Sequence, residues 1–278
     1  MGTLYVVATP IGNLEDITLR ALRVLHEVRL IAAEDTRTAH KLLARYDIHT
    51  PTTSYYEHNE LVKTPLILRE LEQGDVALIS EAGMPGLSDP GHELIGEAIA
   101  AGFPVVPLPG ASAITSALAV SGLPTDRFVF LGFLPRRASD RRAFLQSVAA
   151  EPWTLVFFEA PHRVLSSLAD MEAVLGDRRI AAARELTKLY EETWRGTISG
   201  LRAYLAEADR RGEYTLVVAG KSPEAPAPWP REQVWAALEQ ALARGRTPRE
   251  AAKEVALAAH WKARAVYDLS TELKRHSR

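Results

Sequence analysis

Asp75-Val-Ala-Leu-Ile-Ser-Glu-Ala-Gly-Met-Pro-Gly-Leu-Ser-Asp-Pro-Gly91 is the stretch from which the fold is read. Val76 to Ile79 is a short, unbroken apolar run, the pattern of a strand buried on both faces. It breaks into three glycines and two prolines between Gly83 and Gly91. Asp89-Pro90 then predicts a helix start, with Asp89 as N-cap and Pro90 in the first helical position. A strand that feeds a Gly/Pro loop and then a helix is where open α/β sheets place ligands, at the carboxyl ends of their strands. An ordinary strand-to-helix turn shows the same pattern, so the rest of the chain has to decide between the two.

On the N-terminal side the same alternation recurs. Leu4 to Ala8 reads as a strand and Thr18 to Val28 as an amphipathic helix, with Leu19, Leu22, Leu25 and Val28 at helical spacing. Leu30 to Ala33 is a second strand, and a helix from Thr38 to Tyr46 follows. A short strand is expected near Thr52 to Tyr55, then a helix between Asn59 and Gly74. On the C-terminal side come a helix from Pro90 to Ala101, a strand from Val105 to Leu108 and a helix from Ser112 to Val120. Such alternation predicts a parallel, doubly wound sheet over residues 1–121. The pattern restarts after Ser121-Gly122-Leu123-Pro124. Strands at Phe128 to Gly132, Thr154 to Phe158, Ile180 to Arg184, Leu189 to Thr197 and Tyr214 to Ala219, with helices between them, predict a mixed sheet over 122–220. Lys221 to Pro230 holds four prolines and reads as an extended linker. Residues 231–278 are helical, with a capping box at Thr247-Pro-Arg-Glu250 and a break at His260-Trp261 that suits a helix-turn-helix or a small bundle. The fold class is therefore α/β, two α/β domains followed by a small C-terminal helical module.

The 278 residues include no cysteine, which excludes disulfides, thiolate metal sites and cysteine nucleophiles. A net charge of −2 offers no global attraction for nucleic acid, so any such contact must be local. The helical tail alone, residues 231–278, carries ten Lys/Arg against six Asp/Glu. No basic-plus-apolar leader pattern opens the sequence and no apolar run is long enough to span a bilayer, so a cytoplasmic protein without a membrane partner is expected.

There is no phosphate-binding Gly-x-x-x-x-Gly-Lys-Ser/Thr loop, no Gly-x-Gly-x-x-Gly after the first strand, no His-Glu-x-x-His and no Gly-x-Ser-x-Gly. The eight histidines sit singly, and no metal is expected. What remains are loops at strand ends, Thr9 to Asn13, Ser80 to Leu87 and Pro109 to Ala113, which a doubly wound sheet brings to one edge. Gly83, Gly86 and Gly110 let backbone groups come close to a ligand. A neutral, apolar-lined cradle suits an adenosine with a short aliphatic arm better than a triphosphate. Glu81 is its one evident carboxylate, able to hold an ammonium or act as a base; a solubilising glutamate would look the same.

Ala8-Thr-Pro-Ile-Gly-Asn-Leu-Glu-Asp-Ile-Thr-Leu-Arg-Ala21, Ile31-Ala-Ala-Glu-Asp-Thr-Arg37, Ser80-Glu-Ala-Gly-Met-Pro85, Ser88-Asp-Pro-Gly91 and Val105-Val-Pro-Leu-Pro-Gly110 together resemble one family. Gly122-Leu-Pro-Thr-Asp-Arg-Phe128, Gly132-Phe-Leu-Pro135 and Ala183-Arg-Glu-Leu-Thr-Lys188 extend the likeness. It is the tetrapyrrole-methylase-like (class III) S-adenosylmethionine-dependent methyltransferases, in the ribosomal branch that methylates a cytidine 2′ hydroxyl of small-subunit (16S) ribosomal RNA. The resemblance spans roughly residues 3 to 220 and, more loosely, the tail. It implies two α/β domains with S-adenosylmethionine in the cleft between them, usually in a homodimer. By position it implies that Pro10, Ile11, Ser80, Gly83, Met84, Leu87, Ser112, Ala113, Glu185, Leu186 and Thr215 border the cofactor. Two departures stand out: Thr-Pro-Ile-Gly-Asn replaces the glycine-rich first loop of many relatives, and Glu81 stands where aspartate is expected.

A ribose hydroxyl is a poor nucleophile unless its proton is removed or it is strongly oriented. Glu81 is the candidate catalytic base, while Asn13 or an arginine could instead orient the sugar. Arg136, Arg137, Arg141 and Arg142 are the candidate RNA contacts. Tyr55, Tyr56 and His58 are candidate stacking partners for a base, and equally plausible packing residues. A tetrapyrrole methyltransferase and a non-catalytic RNA-binding assembly factor of the ribosome are the alternatives.

Overall fold

The computed structural model describes residues 1–208, 210–222 and 228–276, the side chains of the last three excepted. Residues 223–227 of the linker expected at 221–230 therefore lie outside the described residues. The chain forms two compact units, Met1–Lys221 and Ser222–Arg278.

In the first unit, β1 (Leu4–Val7), β2 (Leu30–Ala33), β3 (Thr52–Ser54), β4 (Val76–Ile79) and β5 (Val105–Leu108) form a sheet of order β3-β2-β4-β1-β5. Every pairing in it is parallel, as the alternation of apolar runs and amphipathic helices predicts. All four residues of the central strand β4 are buried. Helices α1 (Leu19–Glu27) and α2 (Thr36–Arg45) cover one face, with Val24, Leu25, Leu42 and Leu43 packed on Ile31 and Ile79. Helices α3 (Glu60–Gln73) and α4 (His92–Ala100) cover the other, with Ile67, Leu71 and Leu94 against Val76 and Leu78.

Helix α5 (Ala113–Ser121) follows β5 but packs elsewhere. Its Ile114, Ala117 and Leu118 are buried with Val156, Ala181, Ala183 and Val217 of the second sheet. That sheet has the order β6-β7-β10-β8-β9, from β6 (Phe128–Phe133), β7 (Thr154–Glu159), β8 (Arg179–Arg184), β9 (Glu192–Thr197) and β10 (Tyr214–Val218). Only β6 and β7 run parallel; the other pairs are antiparallel. Helices α6 (Ala138–Ser147), α7 (Val164–Leu175) and α8 (Ile198–Glu207) build its second core around Leu145, Leu168, Met171 and Leu201.

The second unit has its own core. Helices α9 (Arg231–Ala243), α10 (Pro248–Ala259) and α11 (Ala263–His276) bury Val234, Leu238, Val255, Val266 and Leu269 together. The capping box forms as expected, with Thr247 Oγ1 accepting from Glu250 N and the Glu250 carboxylate accepting from Thr247 N. Among the described residues, no helix is long and apolar enough to cross a membrane.

One expectation fails at the stretch that opened the reading. Helix α4 starts at His92, its N-cap is Gly91 at φ 129°, and no side chain caps it. Asp89 is not an N-cap. Gly91 turns the chain between Pro90 and the helix in a conformation that L residues rarely adopt. The local pattern Asp-Pro-Gly does not reveal which of its members ends the loop.

Candidate active site

The carboxyl ends of the parallel strands open into a cleft of about 1110 Å³, its mouth included, whose other wall belongs to the second sheet. The loop after β1 contributes Ile11, and the turn after β2 contributes Glu34. After β4 come Glu81 to Met84 and Leu87 to Asp89, and the start of α5 adds Ser112, Ala113 and Ile114. The opposite wall comprises Phe133, Phe158, Ala183, Glu185, Leu186, Lys188 and Glu213 to Thr215. Of the positions expected to border a cofactor, Ile11, Gly83, Met84, Leu87, Ser112, Ala113, Glu185, Leu186 and Thr215 all line this one space.

Pro10 and Ser80 do not line it. Both are buried behind the loop, where Ser80 Oγ lies 3.3 Å from the Gly83 carbonyl. Thr9 and Gly83 exchange backbone hydrogen bonds of 2.9 and 3.0 Å, tying the first loop to the cradle. Gly83 and Gly86 hold φ near +82° and +81°, so the loop's course requires glycine at both positions. Gly110 has a different reason, because a Cβ there would come within 2.9 Å of the Ala8 Cβ. Its missing side chain makes room for β1, not for a ligand.

Asn13 does not line the cleft; its Oδ1 accepts from Glu15 N as a helix cap, and its backbone N–H donates to Thr187 Oγ1. Tyr55 is fully buried, its hydroxyl 3.1 Å from Thr64 Oγ1, so it cannot stack on a base. Tyr56 is 43% exposed and meets His58 edge-on, and neither lines the cleft.

The arginine cluster divides. Arg136, Arg137 and Arg142 are exposed, and Arg142 is ion-paired to Asp170 at 3.3 Å. Arg141 is 4% exposed; its Nε donates to Asp170 at 2.7 Å and its Nη1 to the carbonyls of Pro135 and Arg136. Its guanidinium is consumed inside the protein, so Arg141, expected among the RNA contacts, is not free to touch RNA. Arg136 and Arg137 precede α6, and within the helix Arg141 sits on the inward face with Leu145.

Carboxylates dominate the electrostatics of the cleft. Glu34, Glu81, Asp89, Glu185 and Glu213 line it, and its only cation among the described residues, Lys188, is ion-paired to Glu185 at 2.8 Å. Burial, assisted by neighbouring Glu34, pushes Asp89 up to about 7, against a hydrogen bond from Ser80 that pulls it down. Burial likewise raises Glu34, although its Oε2 accepts from Glu81 N at 3.2 Å. Glu81 itself is exposed. Backbone strain gathers at the same place: Ser88 and Glu185, both lining residues, have φ of 63° and 51°.

Sequence reading alone missed Glu34, Asp89, Glu213, Phe133 and Phe158. The signal for Glu34 is its place directly after a parallel strand, where its neighbour Asp35 is taken as the N-cap of α2. Nothing local marks Glu213, which reaches the cleft only because β10 runs antiparallel between β7 and β8.

The model of the tetrapyrrole (corrin/porphyrin) methylases matches residues 3–202. A Synechocystis protein named ribosomal RNA small subunit methyltransferase I is 46% identical over 99% of this chain and 99% of its own length. One of the same name from Pseudomonas aeruginosa is 51% identical over 80% of this chain and 81% of its own. Uroporphyrin-III C-methyltransferase from Thermus thermophilus, solved with S-adenyl homocysteine, superposes with a TM-score of 0.54 at 22% identity, covering 78% of this chain and 97% of its own. This chain, with its paired sheets and the cleft at their strand ends, belongs to the tetrapyrrole (corrin/porphyrin) methylase family.

Proposed function

We propose that the protein is an S-adenosylmethionine-dependent methyltransferase that methylates a cytidine ribose 2′ hydroxyl in 16S ribosomal RNA of the small subunit. The observation that carries this reading is the end-to-end match to a ribosomal RNA small subunit methyltransferase, tail included. The tetrapyrrole enzyme, by contrast, leaves about a fifth of this chain without a counterpart although 97% of its own length is matched.

The residues of the cleft fit the donor. Its excess of carboxylates and its neutralised lysine disfavour an anionic ligand and favour a sulfonium and an ammonium. Backbone groups of Ala82, Gly83 and Met84 can bond an adenosine, and Ile11, Leu87, Ile114 and Leu186 can cover its apolar parts. When bound, S-adenosylmethionine supplies an electrophilic methyl group. The protein's share is positioning, because an in-line displacement gains most from holding its reactants in order. Phe133 and Phe158 keep water from that wall, and the chain continuing from Phe133 carries exposed Arg136 and Arg137 toward RNA phosphates. In this reading the domains are 1–121 and 122–220, joined by the 221–230 linker to the 231–278 tail. The protein acts in the cytoplasm as a homodimer without a metal.

Methyl-labelled S-adenosylmethionine, offered with small subunits, free 16S RNA and a tetrapyrrole in separate reactions, tests the substrate class. Label is expected on RNA, and label confined to the tetrapyrrole would refute it.

A further inference from the structure

The loop after β4 has two halves with different surroundings. Gly83 and Met84 form the cradle beside the first loop, tied to it through Thr9. Ser88 and Asp89 lie on the far side, next to the end of β6: a Cβ placed on Gly132 would stand 3.3 Å from Ser88 Oγ. Phe133 follows Gly132, lines the cleft beside Asp89 and is 46% exposed. The chain then runs directly into Arg136 and Arg137. Asp89 therefore stands between the cradle and the strand end that leads to Arg136 and Arg137, the side proposed above for RNA. Since α4 is capped by Gly91, the Asp89 carboxylate is not engaged in holding a helix.

We infer that Asp89 takes the proton from the acceptor hydroxyl during methyl transfer, an assignment that rests on the hydroxyl-methylating function proposed above. The hydroxyl oxygen forms the new O–CH₃ bond as the C–S bond breaks and its electron pair returns to sulfur. The hydroxyl proton passes to an Asp89 carboxylate oxygen and from there to solvent. No oxidant, metal or further reactant is needed.

The other groups facing Asp89 explain why this residue has the task. Glu34 after β2, Glu81 on the same loop and Glu213 before β10 all raise its proton affinity, and Ser80 beneath it donates a hydrogen bond. Lys188 is held by Glu185 and does not offset them. Burial and like charges bring its carboxyl to about 7, close to the working pH at which a base is most effective. Glu81, exposed at the mouth, lacks that enclosure.

Two measurements on Asp89→Asn, with Glu81→Gln alongside, test the assignment. Single-turnover methylation of small subunits should fall by about 10²- to 10⁴-fold in Asp89→Asn. The rise of the wild-type rate with pH should vanish in that variant and persist in Glu81→Gln. Independently of turnover, calorimetry in buffers of different ionisation enthalpy counts protons. Binding of the cationic donor near pH 7 should release a proton fraction from the wild type, and Asp89→Asn should release less. An Asp89→Asn protein that keeps both the rate and the pH inflection overturns the inference while leaving the RNA function standing. A wild-type enzyme that forms no ribose-methylated nucleoside overturns both.

Discussion

Asp89 and Arg141 are both charged side chains withdrawn from solvent, yet the structure uses them in opposite ways. Arg141 finds a partner in Asp170 and two carbonyls, so its charge is settled and structural. Asp89 is surrounded by other acids and stays uncomfortable when ionised. An aspartate in an unfolded chain titrates near 3.9, whereas Asp89 in the fold titrates at about 7. Between those values the native state binds more protons than the unfolded one, so this group costs stability as pH rises through that window. The ligand-free Asp89→Asn protein should therefore melt above the wild type at pH 8, with the difference closing toward pH 4. A melting difference independent of pH would show that Asp89 is not the strained carboxyl. This residue was visible in the sequence, but Asp-Pro ahead of an apolar helix carries a capping signal strong enough to hide another use. What redirects it is Gly91, whose left-handed backbone sets the helix start two residues later.

Among elements, the strands and helices of the first sheet were legible because their apolar periods differ so plainly: unbroken in Val76–Ile79, helical in Leu19–Glu27. The allegiance of α5 was not. Ile114, Ala117 and Leu118 mark a helix with a buried side, but one-dimensional spacing cannot say which sheet receives it. The packing of α5 on β8 and β10 makes it the element that couples the cradle to the opposite wall, since its own Ser112–Ile114 start lines the cleft. Leu118→Ala should cost about 2–5 kcal/mol, the range for a buried leucine whose cavity collapses incompletely. Hydrogen exchange should report the loss in β8 and β10 as well as in α5. Faster exchange confined to α5 would mean that the helix is a local appendage.

At the scale of the whole molecule, a net charge of −2 leaves recruitment of RNA to a few exposed cations. Losing Arg141 from that set places more of the burden on Arg136 and Arg137. Replacing both with alanine should raise the KM for small subunits and flatten the logarithmic salt dependence of binding by up to about 1.4, at roughly 0.7 per single-strand phosphate contact. Affinity for S-adenosylmethionine should not change, because neither residue lines the cleft. An unaltered salt slope would move the RNA-binding surface elsewhere. The central claim concerns the atom that receives the methyl group, and nucleoside mass spectrometry reads that atom directly. Small subunits lacking the modification, treated with the protein and S-adenosylmethionine and digested to nucleosides, should yield cytidine carrying one methyl on its ribose. Methyl groups found only on bases, or none on RNA while a tetrapyrrole is methylated, would contradict the account.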